Sequence, residues 1–353
     1  MCLLSTIYWK LTHYHLATVI RECSIGLRDQ LSTTLQVSKP SISVAMCTYN
    51  GEAYIREQLV SILGQTRAPY ELVICDDCSS DDTLSLVKSL TSGSGFPVRI
   101  FRQESNVGVN QNFATAISMC SGDYIALADQ DDIWERNKLH LFSQAISGYG
   151  ENRPALIFSD VRLVDAEGSL VDKRYADTIK EDRHEGQYWL KLAFGNFIPG
   201  CSLLFDSRYA KAVLPIPGEA VLHDWWIALL ISLTGSVVFI DRQLIAYRIH
   251  EGNNQGINSF KRTVALVSRY GLFGIASNNF SVTLRQLQAA SDRLQQRELP
   301  SPPGLGEICR IENSSRLMRP YILFKLGVRR ASALLGSFLI GRKGSEDNPV
   351  GYI

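Results

Sequence analysis

The chain has 353 residues, of which 45% are hydrophobic, so it is long enough to bury a sizeable core. Its 36 basic and 35 acidic side chains leave a formal charge of +1. That balance argues against a surface built to hold duplex nucleic acid, because such a surface needs a cationic field. Eight cysteines in a chain of this length do not resemble a small disulfide-stapled domain and favour a reducing compartment.

The apolar segments of the chain predict a protein of the cytoplasm. The uncharged and mostly apolar run over residues 225–240 has 16 residues and falls short of the 18 or more that a membrane span needs. The apolar start, residues 1–9, lacks the cationic beginning and the small-residue cleavage site of a secretory signal. Residues 1–39 carry no clean periodicity and end before Pro40, so we interpret them as an N-terminal extension.

From Ser41 onward, apolar runs of strand length alternate with segments of helical periodicity. The predicted strands are 42–46, 72–75, 98–101, 124–128, 155–161, 237–240 and 244–249, and the predicted helices are 54–63, 83–90, 110–120 and 223–233. This alternation favours an α/β domain with a Rossmann-like, mostly parallel sheet covered on both faces. Ligands of such sheets bind beyond the carboxyl ends of the strands, where the polar clusters 48–50, 76–77 and 129–132 fall.

The C-terminal part predicts a helical extension, so the expected organisation is an extension over 1–39, a domain over 40–255 and a helical region over 256–353. Helices are expected past Gly256, with a break at 300–304. Residues 310–343 carry eight basic side chains and one acidic side chain. Within them Lys325, Arg329 and Ser332 share one helical face, which fits either a helix on an anionic membrane surface or a helix packed on the preceding domain.

The cluster Asp129-Gln130-Asp131-Asp132 follows the apolar strand predicted over 124–128. Carboxylates at the end of a buried strand are placed to hold a hard divalent cation such as Mg²⁺ or Mn²⁺. Such ions take one or two protein carboxylates and complete their shell with water and phosphate oxygens. The alternative is a helix start in which Asp132 serves as the N-cap.

Asp76 and Asp77 also end a predicted buried strand. One of them is placed to accept a hydrogen bond from a base or ribose lying across the strand ends. An Asx-turn is the alternative, and a phosphoacceptor aspartate is a third that would leave the second acidic cluster unexplained. The flanking Cys75 and Cys78 have the C-x-x-C spacing of redox or zinc sites, but no second pair exists and the two aspartates disfavour a thiolate.

Several motifs in one order carry a resemblance to a known family. They are Val44-Ala45-Met46-Cys47-Thr48-Tyr49-Asn50-Gly51, Gln65-Thr66, Val73-Ile74-Cys75-Asp76-Asp77-Cys78-Ser79, Asn106-Val107-Gly108 with Asn112, and Gly122-Asp123-Tyr124-Ile125 with the cluster 129–132. This order resembles the inverting family 2 glycosyltransferases of GT-A fold, over roughly residues 41–255. His223-Asp224-Trp225-Trp226 and the run 247–254 are similar to the bacterial rhamnosyltransferase-like members. The departures are Cys47, where many relatives have Pro or Ser, and Cys78, where Gly is common.

The resemblance implies a role for each matching residue. Asp224 occupies the place of the base that activates the acceptor. The metal ligands would be Asp129, Asp131 and His250. His223, Trp225 and Trp226 would lie on the acceptor side. The implied nucleotide-sugar-binding residues are Thr48, Tyr49, Asn50, Glu52, Asp76, Asp77, Asn106, Gly108, Asn112, Asp129 and Gln130.

The function implied is transfer of one sugar, with inversion, from a nucleoside-diphosphate donor to a saccharide or lipid-linked saccharide acceptor. The rhamnosyltransferase-like motifs point to L-rhamnose from dTDP-rhamnose, in the assembly of O-antigen, capsule or exopolysaccharide. The Q-x-x-R-W motif of processive synthases is missing. A sugar-nucleotide nucleotidyltransferase is the alternative enzyme, but residues 48–52 form no Gly-rich phosphate loop. A non-catalytic nucleotide-sugar-binding protein would leave the acidic residues dispensable.

Overall fold

The computed structural model describes residues 39–172, 188–193, 195–250 and 276–309. The strands are β1 Ile42–Thr48, β2 Glu71–Asp76, β3 Val98–Arg102, β4 Tyr124–Ala128, β5 Ile133–Trp134, β6 Leu156–Val164, β7 Leu170–Asp172, β8 Leu203–Asp206 and β9 Val237–Arg248. The helices are α1 Ile55–Leu63, α2 Thr83–Thr91, α3 Val109–Met119, α4 Lys138–Gly148, α5 Tyr188–Leu192, α6 Ala210–Val213, α7 His223–Thr234, α8 Ala276–Gln296 and α9 Leu305–Cys309. A 3₁₀ turn, Gly200–Ser202, precedes β8.

All of these strands belong to one nine-stranded sheet, in the order β3-β2-β1-β4-β8-β6-β9-β5, with β7 paired to β6. The first four pair in parallel. β8 then runs antiparallel to both β4 and β6. β9 is parallel to β6, whereas β5 and β7 pair antiparallel with β9 and β6. The sheet is therefore parallel in its first half and mixed in its second.

Two apolar layers cover the two faces of the sheet. Successive residues of β1 alternate between them, because side chains of a strand point to opposite faces: Ala45 joins one cluster and Met46 the other. Helices α3, α7, α8 and α9 contribute to the first cluster, and α1, α2 and α4 to the second. Every residue of β1, β2 and β4 is buried, as expected for parallel strands enclosed by helices.

The register places three polar strand ends at one edge of the sheet. Thr48 lies opposite Asp76 in the β1–β2 pair, and Met46 lies opposite Ala128 in the β1–β4 pair. The turns that follow β1, β2 and β4 therefore meet at this edge. Helix α7 is apolar almost all round and is buried over most of its length, and its first turn carries His223 and Asp224.

The predicted α/β architecture and its early strands and helices agree with the structure. The strands expected over 237–240 and 244–249 form the single strand β9, because an irregularity in the register opposite Ser159 and Asp160 absorbs the residues between them. Helix α4 and strand β8 were not expected from the sequence. The extension over 1–39, apart from Lys39, the run Glu251–Asn254 and the basic segment 310–343 lie outside the described residues.

The described helices do not form a membrane span. Within the ranges given above, no helix combines the length and the apolar character that a bilayer crossing requires.

Candidate active site

The ends of β1 and β2 are tied together by one buried carboxylate. Asp76 is fully buried and accepts hydrogen bonds from Thr48 Oγ1 at 2.8 Å and from Ser79 Oγ at 2.6 Å. Its second oxygen accepts from the Ser79 backbone N–H at 2.9 Å. Both oxygens are thus used inside the protein. Asp76 organises the turn after β2 and offers no surface for the direct nucleotide contact that the sequence predicted.

Asp77 organises the loop that leads into α3 in a similar way. Its two oxygens accept from the backbone N–H groups of Val107 and Gly108, at 2.7 and 2.9 Å. Asn106 Oδ1 also accepts from Gly108 N–H, at 3.1 Å, and its side chain is exposed at the same edge. Asn112, by contrast, is buried and donates to the Cys75 carbonyl at 2.8 Å, so it holds α3 against β2.

A side-chain amide clamps the turn after β1 to the acidic turn after β4. Gln130 Oε1 accepts from the Tyr49 N–H at 2.8 Å, and its Nε2 donates to the Tyr49 carbonyl at 3.0 Å. A Cβ at position 51 would lie 2.2 Å from Gln130 Oε1, so a larger residue there would displace the Gln130 side chain from the clamp. The clamp leaves Tyr49 47% exposed at the edge of the sheet.

Asn50 and Glu52 brace the turn after β1 against the turn after β2. Asn50 adopts a left-handed backbone conformation with φ of 47°, and its Oδ1 accepts from the Ser80 N–H at 2.9 Å. Glu52 Oε2 accepts from the Asp82 N–H at 3.0 Å, at the start of α2. Both side chains are exposed, so they stay available to a ligand.

The acidic turn 129–132 presents its carboxylates in two directions. Asp131 Oδ2 lies 3.0 Å from His250 Nε2. Asp132 is buried and accepts from the Arg248 N–H through Oδ1 at 3.2 Å. Oxygens of Asp129 and Asp132 and the sulfur of Cys201 lie within 4.8 Å of one another. The turn thus groups Asp131 with His250, and Asp129 with Asp132 and Cys201.

The electrostatics of the turn favour a bound cation. The pKa of Asp129 is raised well above its usual value, first by burial and then by repulsion from Asp132, Asp131 and Asp224. Burial and the Asp131 charge raise the pKa of Asp132 to about 7. Neighbouring ligands of an octahedral ion bonded at about 2.1 Å lie about 3 Å apart, which fits the Asp131 to His250 separation. These residues therefore suit a divalent ion.

A buried arginine fixes the acidic turn to the end of β9. Arg248 donates through Nε to the Asp131 carbonyl at 2.9 Å and pairs with Glu57 at 2.5 Å. Its guanidinium also packs over the Tyr54 ring, 4.9 Å from the ring centroid. Because His250 follows two residues later and its ring packs at a tilt against the same Tyr54, with ring centroids 4.4 Å apart, Arg248 helps to set where that imidazole meets Asp131.

Asp224 lies in the first turn of α7, with its carboxylate held by two backbone groups. The Gly200 N–H donates to Oδ2 at 2.9 Å, and the Trp225 N–H donates to Oδ1 at 2.6 Å. The side chain is 8% exposed. Burial raises the pKa of Asp224 to about 6, although the hydrogen bonds oppose that rise. A carboxylate with this pKa is ionised near neutral pH and basic enough to accept a proton.

The three aromatic residues next to Asp224 in the sequence differ in their contacts. Trp226 is fully buried, donates through Nε1 to the Val213 carbonyl and packs in the core, so it cannot take the acceptor-side position that the sequence predicted. Trp225 is half-buried and donates to the Leu192 carbonyl at 2.6 Å. His223 stacks on Phe113 with ring centroids 3.8 Å apart. No described residue forms a hydrogen bond with either ring nitrogen of His223, and burial lowers the pKa of His223 to about 3.

The structure brings the acidic turn and Asp224 together although they are distant in the sequence. The charge of Asp224 contributes to the raised pKa of Asp129, so the two carboxylates share one electrostatic environment. The turn Gly200–Ser202 lies between them, since Gly200 bonds Asp224 and Cys201 approaches Asp129 and Asp132. The acidic turn and Asp224 therefore lie on either side of the turn Gly200–Ser202.

Sequence reasoning missed Gly200, Cys201 and Lys138 and gave Asp132 only a capping role. Arg248 stood within a quoted motif without a role of its own. The sequence did carry one signal for Asp132 and Lys138, because an acidic and a basic residue flank the large aromatic residue Trp134. Nothing local marks Gly200, because its importance comes from a contact with a helix that begins 23 residues later.

Residues 43–207 match the family model described as Glycosyl transferase family 2. The chain is 29% identical over 250 residues to the dTDP-rhamnosyl transferase RfbG of Shigella flexneri, an alignment covering 67% of this chain and 80% of that protein. It spans 59% of the length of a relative of unassigned function in Mycobacterium tuberculosis, to which it is 27% identical.

Two solved structures have a similar fold. A fragment of Staphylococcus aureus TarS in complex with UDP gives a TM-score of 0.51 at 17% identity, covering 88% of this chain and 95% of that one. A mannosyltransferase of Pyrobaculum calidifontis in complex with GDP-Man and Mn²⁺ gives 0.53 at 17% identity, covering 87% and 77%. At this identity the likeness establishes the fold. Asp224 and His250 lie beyond the residues of the family match.

Proposed function

We propose that this chain, whose GT-A fold carries a glycosyl transferase family 2 domain over residues 43–207, transfers a single sugar from a nucleoside-diphosphate donor to a saccharide hydroxyl. The observation that carries the proposal is the approach of the acidic turn and of Asp224 to the same turn, Gly200–Ser202. Glycosyl transfer needs positive charge at the departing diphosphate and a base at the incoming hydroxyl, and these two neighbouring acidic groups would supply a place for each.

The donor nucleotide would lie along the ends of β1 and β2. Tyr49 offers an exposed ring for the base, and Asn50, Glu52 and Asn106 are exposed polar groups at the same edge. Thr48, Asp76 and Asp77 hold the turns that display these groups. In this proposal, buried acids shape the edge of the sheet that binds the nucleotide, and exposed side chains contact the nucleotide.

A divalent cation would be held by Asp131 and His250, with Asp129 beside them. When bound, such an ion supplies positive charge to the diphosphate that leaves. Arg248 and Gln130 keep the acidic turn in place for it, the former through the Asp131 carbonyl and the latter through Tyr49.

Asp224 would act as the base. As the acceptor oxygen attacks the anomeric carbon, its proton passes to the Asp224 carboxylate, the new glycosidic bond forms and the bond to the diphosphate breaks with its electron pair. The Gly200 and Trp225 N–H groups would hold the carboxylate in a fixed orientation for this proton transfer. Attack from the side opposite to the leaving group inverts the anomeric centre.

The donor that we propose is dTDP-L-rhamnose, in the assembly of a cell-surface polysaccharide. Its support is the similarity to the rhamnosyl transferase of Shigella flexneri, together with the motifs His223-Asp224-Trp225-Trp226 and 247–254. UDP and GDP sugars are the competing donors, because the proteins of similar fold were solved with UDP and with GDP-Man.

A thermal-shift screen tests this function. The full chain is heated with dTDP, UDP and GDP and with their sugar nucleotides, each with and without Mn²⁺. A ligand at 100 times its Kd should stabilise the fold by about 2.7 kcal/mol, and we expect the largest shift with dTDP compounds and Mn²⁺. A chain that no nucleotide stabilises would refute the function, whereas a preference for UDP or GDP would refute only the donor.

The place of the reaction is proposed as the cytoplasmic face of a membrane, with residues 310–343 as a basic contact to anionic lipid. Deletion from Arg310 onward should reduce co-sedimentation with phosphatidylglycerol vesicles and leave transfer to a soluble acceptor unchanged. Equal sedimentation of the full and shortened chains would contradict the membrane contact.

A further inference from the structure

Lys138 is a fully buried charged residue for which the proposed function has no use. It begins α4, and its side chain has no exposed surface. Its Nζ donates to the Cys201 carbonyl at 2.6 Å and lies 3.3 Å from the centroid of the Trp134 ring. A buried ammonium is costly unless it is paired and hydrogen-bonded, so these contacts need an explanation.

The surroundings of Lys138 belong to the candidate active site. Trp134 lies in β5, the strand that directly follows the acidic turn. Cys201 is the central residue of the turn Gly200–Ser202. Burial lowers the pKa of Lys138 to about 7, while the neighbouring Cys201, Asp132 and Asp129 act in the opposite direction. The ammonium therefore faces the acidic turn and the 200–202 turn at the same time.

The 200–202 turn connects Lys138 to Asp224. The carbonyl of Cys201 accepts from Lys138, and the N–H of the preceding Gly200 donates to Asp224 Oδ2. A Cβ at position 200 would lie 3.2 Å from both Asp224 Cβ and His223 Nε2, so the turn is packed closely against the first turn of α7. A displacement of the turn would therefore move or release the carboxylate.

We propose that Lys138 is a positioning residue whose ammonium group holds the turn Gly200–Ser202 against the acidic turn, so that the Gly200 N–H keeps the Asp224 carboxylate in a fixed orientation. The inference rests on the proposed role of Asp224 as the base. It adds that the acidic turn and Asp224 are linked through one buried side chain on α4. A lysine that serves the core alone would hold α4 in place without affecting Asp224.

The test compares Lys138→Met, which keeps the length of the side chain and removes its charge and donor groups, with the exposed Lys88→Met on α2 as control. Amide hydrogen exchange is measured across residues 199–203 and across α7. We expect the Gly200 amide of Lys138→Met to exchange about tenfold faster, with the α7 amides unchanged. Unchanged exchange at Gly200, or equal acceleration throughout α7, would overturn the proposal.

Steady-state kinetics give the second readout. We expect kcat of Lys138→Met to fall about 100-fold while KM for the donor stays within about threefold, because only the orientation of the base is lost. Wild-type kcat, or a parallel loss of donor affinity and melting temperature, would contradict the positioning role. If Lys138→Met does not fold, Lys138→Leu, which also removes the charge and the donor groups, is measured by the same criteria. A wild-type chain without transfer activity would refute the proposed function. The hydrogen-exchange result would still test whether Lys138 holds the turn Gly200–Ser202 in place.

Discussion

The backbone N–H of Gly200 donates to Oδ2 of Asp224 at 2.9 Å, and this bond joins a 3₁₀ turn before β8 to the first turn of α7. Hydrogen bonds to a charged group are worth about 1.5–3 kcal/mol, so the bond favours the ionised carboxylate. Burial acts against it and wins, since the pKa of Asp224 is raised to about 6. The result is a fixed carboxylate that is ionised at neutral pH and still a competent base.

Replacing Asp224 with Asn should remove the base and leave the nucleotide edge intact. We expect kcat to fall about 1,000-fold, within the range that general-base groups contribute, with an unchanged Kd for the donor by calorimetry. The exposed Asp241→Asn in β9 is the matched control and should keep wild-type activity. Substantial turnover by Asp224→Asn would remove the residue from the mechanism.

The rate of transfer should depend on pH through the same carboxylate. The pKa of Asp224 is raised to about 6, and the base works only when ionised. As pH falls through 6, kcat/KM should therefore decline about tenfold per unit, because this ratio reports ionisations of the free enzyme. Samples held at low pH and returned to pH 7.5 should recover full activity. A profile that is flat between pH 5 and 7 would contradict Asp224 as the base.

Gly200→Ala should displace the base without unfolding the protein. The added Cβ would lie 3.2 Å from Asp224 Cβ and from His223 Nε2, closer than ordinary contact, so α7 must give way by a few tenths of an ångström. We expect kcat to fall about tenfold and the free energy of unfolding to fall by about 1 kcal/mol. Gly195→Ala, whose Cβ would meet open space, is the control. Equal kinetics for the two variants would show that Gly200 does not fix the orientation of the Asp224 carboxylate.

Much of the first half of the fold was predictable because its strands are continuous apolar runs that end in polar turns. β1, β2 and β4 read this way, and their register brings Thr48, Asp76 and the acidic turn to one edge. Local pattern also predicted that Asp224 begins a helix. These features depend on neighbours in the sequence, which is why reasoning from sequence reached them.

The remaining features depend on distant contacts. Helix α4 was missed because His140, Ser143 and Gln144 interrupt its apolar pattern, although Leu139 and Phe142 are buried. Trp226 shares a motif with Asp224 but points into the core, since adjacent residues of a helix face different directions. The pairing of Lys138 with the 200–202 turn has no local signal, because the partner is a backbone carbonyl.

Cys78 occupies a backbone conformation that favours glycine, with φ of 65°. Its Cβ costs about 1–2 kcal/mol there, and part of that cost is regained by the lower entropy of the unfolded chain. Cys78→Gly should therefore stabilise the protein by about 0.5–1 kcal/mol, seen as a higher denaturant midpoint. Cys78→Ala keeps the Cβ, loses the same sulfur contacts and should bring no gain. A lower midpoint for the glycine variant than for the alanine variant would contradict the strain.

Asp131→Asn tests the cation site independently of transfer. Asp131 Oδ2 lies 3.0 Å from His250 Nε2, and Asp131 is more exposed than the neighbouring Asp132. A neutral amide at position 131 should therefore weaken the binding of a divalent ion without disturbing the core. We expect the additional thermal shift that Mn²⁺ gives with a nucleoside diphosphate to disappear. The smaller shift given by the nucleotide alone should remain, because the Tyr49 edge is unchanged. The exposed Asp292→Asn on α8 serves as the control and should retain the full Mn²⁺-dependent shift. An Asp131→Asn variant that retained it as well would place the cation elsewhere and leave the Asp131 to His250 contact as a hydrogen bond alone.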